Sequence, residues 1–270
     1  MSGRGRARRV AARLSVRDLA ILQSLQELRL LTGDHVWRLH FTGGNPDTQA
    51  RKARAALTRL TRLQTVVRLR RRIGGMRAGS QGFVYGLSGL GQAVLDVGNP
   101  TPRRHRRVVE TKPAFAHHAL AISELRVRLA EFAHELPAVQ LNFAAEPGCW
   151  RPFAGLAGQT VVLKPDAFVR VQCDGYELSA FVEVDLATES LPTINRKLAV
   201  YVAYWRSGVE QDRHGLFPRT WWLVPDAARL TALQGVIARL PAETQPLFAV
   251  CLTADAVAHL TEVPTEGGAQ

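Results

Sequence analysis

At 270 residues, with 46% apolar and 21% charged side chains, the chain is long enough for one large or two ordinary globular domains, and its composition excludes a disordered or fibrous protein. Its net charge of +12 is uneven: residues 1–112 hold 23 Lys/Arg against 6 Asp/Glu and 113–270 hold 12 against 17, so a segment at +17 precedes one at −5. That asymmetry points to a polyanion-binding module joined to a different domain, with DNA or RNA the commonest polyanion and an anionic membrane surface the rival.

Residues 1–14 carry Arg4, Arg6, Arg8 and Arg9 among glycines and alanines and read as a basic disordered arm. No apolar run behind them is long enough for a signal peptide, and no later stretch approaches a membrane span, so a cytoplasmic protein without a membrane partner is expected. Ser15 followed by Asp18 makes a capping-box-like start for a helix with Ile21, Leu22, Leu25 and Leu28 at helical spacing, ending near Leu31. A short second helix fits residues 33–41. After the Gly43-Gly44-Asn45-Pro46 loop, Asp47 is expected to cap a third helix, Thr48 to Leu63.

That third helix has a narrow apolar stripe of Ala50, Ala53, Leu57 and Leu60, while Arg51, Lys52, Arg54, Arg59 and Arg62 populate the rest of its surface. One docking stripe on an otherwise cationic helix is what a major-groove reader of double-stranded DNA requires. Two alternating runs around a glycine-rich tip follow, Thr65 to Ile73 and Gly82 to Leu87, and predict a hairpin studded with Arg68, Arg70, Arg71 and Arg72 on flanking phosphates. Three helices and a basic hairpin resemble a winged helix-turn-helix domain over 15–97, closed by a helix from Ser88 to Val97. Residues 98–112 read as a linker.

The remainder, 113–263, alternates helices and strands before a disordered tail at 264–270. A helix from Pro113 to Glu135 carries Glu124. Strands are expected at Val139–Ala145, Thr160–Val171 and Tyr176–Asp185, with Cys173-Asp174-Gly175 turning between the last two. A helix from Ser190 to Arg206 buries Ile194, Leu198, Tyr201 and Trp205. Two more strands, Thr220–Pro225 and Pro246–Leu252, flank a helix holding Leu230, Leu233, Ile237 and Leu240. Cys149, Cys173 and Cys251 are too scattered for a disulfide framework or a CxxC metal site and read as small buried apolar residues.

Inside the predicted hairpin, Asp166 and Glu183 each lie 8 or 9 residues from Asp174, so antiparallel pairing brings two carboxylates together across the sheet. Carboxylate oxygens are the ligands Mg²⁺ or Mn²⁺ prefers, whereas the alternative for buried acids is pairing with cations. Pro165-Asp166, a hairpin, Glu183-Val184-Asp185 and a following helix, preceded by a helix with Glu124, resemble the PD-(D/E)xK, restriction-endonuclease-like superfamily. That resemblance implies an α+β protein whose second domain is an α/β nuclease-like fold with a mixed sheet flanked by helices. It further implies metal binding by Asp166 and Glu183 and a supporting lysine two residues after the glutamate. Asp185 occupies that position here and would be an added ligand. Lys197 is then the candidate displaced lysine, Lys164 the other nearby cation, and Glu189 and Tyr201 supporting groups.

The joint arrangement, with Glu183-Val184-Asp185-Leu186-Ala187-Thr188-Glu189 followed by Lys197, Tyr201 and Tyr204, resembles the replication-relaxation family of plasmids and integrative elements. This implies a DNA-binding role in plasmid replication or its control, with replication proteins as partners. The alternatives are a Mg²⁺-dependent deoxyribonuclease targeted by the winged helix, or a degenerate nuclease fold serving as a protein-interaction scaffold.

Overall fold

The computed structural model describes residues 3–69, 83–99, 112–136, 138–155, 158–173 and 175–262. The chain divides into two compact units, 1–127 and 128–270. The division falls inside a helix and not in the 98–112 segment chosen from composition, most of which lies outside the described residues.

The first unit begins with a helix where a tail is expected: α1 (Gly3–Ala11) is built from Arg and Ala, which favour helix, and buries Ala7 against the helix at 89–95, which offsets its two glycines and the repulsion among its arginines. Helix α2 (Val16–Leu28) starts at Ser15 in the predicted capping box with Asp18 and buries Ile21, Leu22, Leu25 and Leu28. It stops three residues before the predicted end. Arg29 turns the chain at φ +66° and Leu30 enters β1 (Leu30–Thr32). The partners that draw these leucines out of the helix, Tyr85 and Gly86, lie more than fifty residues away and leave no trace in local periodicity.

Thr32 caps α3 (Gly33–His40). Asn45, not Asp47, caps α4 (Pro46–Arg62), with Pro46 in the first turn where its missing N–H costs nothing. The buried stripe of α4 is Ala53, Ala56, Leu57 and Leu60. Strands β2 (Val66–Arg68) and β3 (Val84–Leu87) pair antiparallel and join β1 in the order β1-β3-β2. The hairpin tip with Arg70, Arg71 and Arg72 lies outside the described residues. Helix α5 (Gly89–Leu95) sits so close to the start of β2 that a Cβ on Gly91 would fall 2.2 Å from the Thr65 carbonyl oxygen, so only glycine fits. The first part of α6 (Pro113–Glu135) completes this unit, with the Ser123 hydroxyl donating to the Leu30 carbonyl at 2.7 Å.

The second unit is built on a five-stranded mixed sheet, in keeping with the α+β class and mixed sheet read from the sequence. Its strands are β4 (Gln140–Ala145), β7 (Ala167–Cys173), β8 (Tyr176–Val184), β9 (Arg219–Val224) and β10 (Phe248–Leu252), ordered β10-β9-β8-β7-β4. The pairs β4/β7 and β7/β8 are antiparallel; β8/β9 and β9/β10 are parallel. The long strand expected at Thr160–Val171 is two. Pro165, without an N–H for a ladder, separates β7 from β6 (Thr160–Leu163), which pairs instead with β5 (Arg151–Ala154) in a small hairpin.

Helices α7 (Leu191–Arg206) and α8 (Val209–His214) connect β8 to β9, α9 (Ala227–Ile237) connects β9 to β10, and α10 (Ala256–Thr261) follows. Ser190 caps α7 as predicted, and Phe181, Ile194, Leu198, Tyr201, Tyr204 and Trp222 lie in the core between α7 and the sheet. The expected tail, 264–270, lies outside the described residues. Among the described residues no helix is long and apolar enough to cross a membrane.

Candidate functional site

The end of the β7/β8 hairpin carries the acids. Pairing runs from Cys173 opposite Tyr176 to Ala167 opposite Val182, so the next step brings Asp166 opposite Glu183. The Asp166 N–H donates to Val182 O at 3.1 Å, and the Asp166 carboxylate accepts the Val184 N–H at 2.7 Å, which fixes it against β8. Glu183 is only 2% exposed. Burial, and after it the neighbouring Asp166 charge, pushes its carboxyl well above the ordinary carboxylate range; burial likewise raises Asp166 despite the Val184 N–H.

One helix supplies the compensation. Tyr201 donates its hydroxyl to one Glu183 oxygen at 2.7 Å, and Lys197, one turn earlier on α7, donates to the other at 3.2 Å. Lys197 also reaches Glu189 at 3.1 Å, and its ammonium lies 5.7 Å from the centre of the Trp222 ring. Trp222 stands directly across the sheet from Glu183. Burial alone would lower the Lys197 pKa, but Glu183, Asp166 and Glu189 outweigh it and raise it. The structure therefore brings together Asp166, Glu183, Lys197, Glu189 and Tyr201. Lys164 sits instead against the Trp150 ring, 4.9 Å from its centre.

Asp185 belongs to a different arrangement. It is 5% exposed, accepts the Ala187 N–H at 2.8 Å and is paired with Arg229 of α9 at 2.6 Å, while Arg229 also donates to the Glu189 carbonyl at 2.7 Å. These contacts hold a loop in which Ala187 takes φ +58°. Both carboxylate oxygens of Asp185 are thus engaged in fastening the β8–α7 connection. Glu124 lies in the first unit, where Arg38 at 2.8 Å and His35 at 3.2 Å hold it. Among the described residues no group of three or more His, Cys, Asp and Glu side chains is arranged to hold a metal ion. Cys149 is buried with its thiol on the Pro165 carbonyl, and burial pushes it up to about 12, so it behaves as the small apolar residue expected.

The cations of the first unit divide in two. Arg51, Lys52, Arg54 and Arg62 are exposed on α4 with no acidic partner among the described residues, and Arg68 on β2 is exposed with its guanidinium 4.1 Å from the centre of the Phe83 ring. Arg59 is engaged although half exposed: it pairs with Asp18, which is 2% exposed and also accepts from Ser15.

Sequence reasoning missed Arg229 and Trp222, as well as a second buried ion pair in which Arg151 lies 3.4 Å from Glu210 and Tyr204 donates to the same glutamate. Arg229 was legible in one respect, since Asp226 caps α9 and puts Arg229 in its first turn, facing the sheet end from which Asp185 leaves. Trp222 and Arg151 carry no local signal.

These features define a two-unit α+β protein that presents unpaired cations on one helix and encloses paired acids at the end of a hairpin. The chain belongs to the replication-relaxation family, whose match spans residues 22–220, from α2 into β9, and this membership ties it to replication. Comparison with curated proteins and with solved structures gave no significant match.

Proposed function

We propose that the chain is a DNA-binding protein acting in the replication of a plasmid or integrative element, with the first unit as a winged helix-turn-helix. The observation that carries this reading is α4, a helix docked by one apolar stripe whose outer face holds Arg51, Lys52, Arg54 and Arg62 unpaired among the described residues. The succession α2-β1-α3-α4-β2-β3, with strand order β1-β3-β2, supports it. In this reading α4 enters the major groove of double-stranded DNA while Arg68 meets a phosphate. Arg59 contributes by orienting α4 through Asp18 and not by contact. A binding titration with duplex DNA over a salt series tests the proposal: binding must weaken steeply as salt rises, and a flat response removes it.

A second reading, that the second unit is a Mg²⁺- or Mn²⁺-dependent nuclease of the PD-(D/E)xK type, is favoured by Lys197. Its ammonium reaches Glu183 from α7, so a cation stands beside the acids although Asp185 fills the usual lysine position. Asp166 and Glu183 would hold the metal. They offer hard oxygen donors whose buried mutual repulsion a divalent cation would relieve, Glu183 binding through the lone pairs left over by Tyr201 and Lys197. Asp185 does not join them, because Arg229 and the Ala187 N–H occupy it. Bound there, the metal supplies Lewis-acid polarisation and an activated water. Tyr201 orients Glu183, Glu189 steadies Lys197, and Lys197 is poised to offset negative charge on a phosphodiester. Supercoiled plasmid incubated with Mg²⁺ or Mn²⁺ decides the matter: cleavage that Asp166→Ala abolishes supports hydrolysis. No cleavage with either metal, together with a melting temperature indifferent to Mg²⁺, favours a scaffold for replication proteins.

A further inference from the structure

Helix α1 does more than close the first unit. Six arginines, Arg4, Arg6, Arg8, Arg9, Arg13 and Arg17, precede the first acid of the chain, Asp18, and that acid is already taken by Arg59. Like charges three and four apart on a helix repel. Yet the segment is helical, and Arg4, Arg8, Arg9 and Arg13 are exposed without an acidic partner among the described residues. Ala7 anchors it, 1% exposed against α5, and bonded turns continue past its end, from the Ala12 N–H to Arg8 O and from the Arg13 N–H to Val10 O. Arg6, Arg9 and Arg13 therefore share one flank at spacings of three and four, while Arg4 and Arg8 lie on the other.

The location of the first flank is given by one contact. Arg6 donates to the Gln64 side chain, in the turn between α4 and β2, two residues beyond the exposed Arg62. We infer that α1 is a second phosphate-binding element for duplex DNA, in which Arg9 and Arg13 extend the cationic face of α4 onto the backbone flanking the segment that α4 reads. The inference rests on the DNA-binding role proposed above. The seven residue steps from Arg6 to Arg13 rise about 10 Å at helical pitch, which matches roughly three phosphates of one strand at about 3.4 Å of duplex axis each. A membrane surface fits less well, because Ala7 is buried, Val10 and Ala11 are only partly exposed, and the side chains fully exposed on α1 are arginines.

Two charge-matched variants separate the flanks: Arg9→Gln/Arg13→Gln and Arg4→Gln/Arg8→Gln, titrated with duplex DNA over a salt series beside the wild type. The first pair is expected to reduce the slope of log affinity against log salt by about 1.8, at about 0.9 per lost phosphate contact, and to shorten the protected DNA on one side only. The second pair is expected to leave both unchanged. In the wild type, bound DNA is expected to protect Arg9 and Arg13 from phenylglyoxal, a readout independent of how the variants fold. Equal slope changes from both pairs, or no change and no protection at Arg9 and Arg13 while the wild type binds, overturn the role of α1 and leave that of α4 standing. A wild type that binds no duplex DNA, or only anionic vesicles, removes both.

Discussion

On α4 the cations Arg51, Lys52 and Arg54 stand exposed without acidic partners among the described residues, whereas in the second unit Glu183 and Asp185 are almost wholly buried and each faces a cation from a helix packed on the sheet. The same kind of side chain thus does opposite work. An exposed unpaired charge contributes little to folding and is available to a partner, while a buried pair is committed to the fold and becomes costly when one member is lost. Within the second unit the contrast repeats. Asp185 is held by Arg229 and a backbone N–H, but Glu183 and Asp166 remain a mutually repelling pair that Lys197, the Tyr201 hydroxyl and the Val184 N–H only partly offset.

The comparison breaks most visibly at Arg229. Arg229→Ala leaves Asp185 buried and uncompensated and is expected to destabilise the second unit by about 3–5 kcal/mol in urea unfolding, with much of the loss restored by adding Asp185→Asn. On the first unit, Arg51→Ala/Lys52→Ala/Arg54→Ala should leave the melting temperature within a degree or two but lower the salt slope of DNA binding by about 2.7, at about 0.9 for each phosphate contact. A stability loss from that triple variant comparable to that of Arg229→Ala would erase the distinction between the units. Ser15→Ala removes the cap of α2 and one of the groups holding Asp18, and should cost about 1 kcal/mol in the same unfolding assay.

The smallest effect concerns acid. Burial would push Glu124 up, but hydrogen bonds from His35 and Arg38 and the Arg38 charge hold its folded pKa down at about 2. Its contribution is therefore fully present above the ordinary glutamate value and is lost as pH falls from about 4.5 toward 2. Protection of the α3 amides, measured against their intrinsic exchange rates, should fall over that window, and Glu124→Gln should flatten the change.

Much of this was legible in the sequence because it was local. The capping box of Ser15 and Asp18, the stripe of α4, the turn at Gly175 and the start of α7 at Ser190 all involve groups within a few residues. The facing of Asp166 and Glu183 was legible too, since hairpin register follows from counting back from a turn. Where partners are distant, the reading failed. Leu30 and Leu31 continue the apolar run of α2 yet pair with a strand more than fifty residues on, and Asn45 displaced Asp47 as cap because Pro46 started the helix earlier.

The family follows from a resemblance in the acidic motif and the matching family model, whereas the α+β class, the hairpin with its two acids and the cationic surface of α4 were readable from composition, period and short-range spacing. Only the tertiary structure decided which charges are spoken for. Arg59 is tied to Asp18, Asp185 is held by Arg229, and Lys197 reaches Glu183. An arginine-rich amino-terminal segment becomes a helix because Ala7 finds a surface on α5. The physical reason is that a charge's role depends on what lies within about 4 Å and on how much water remains, and neither is written in the order of residues.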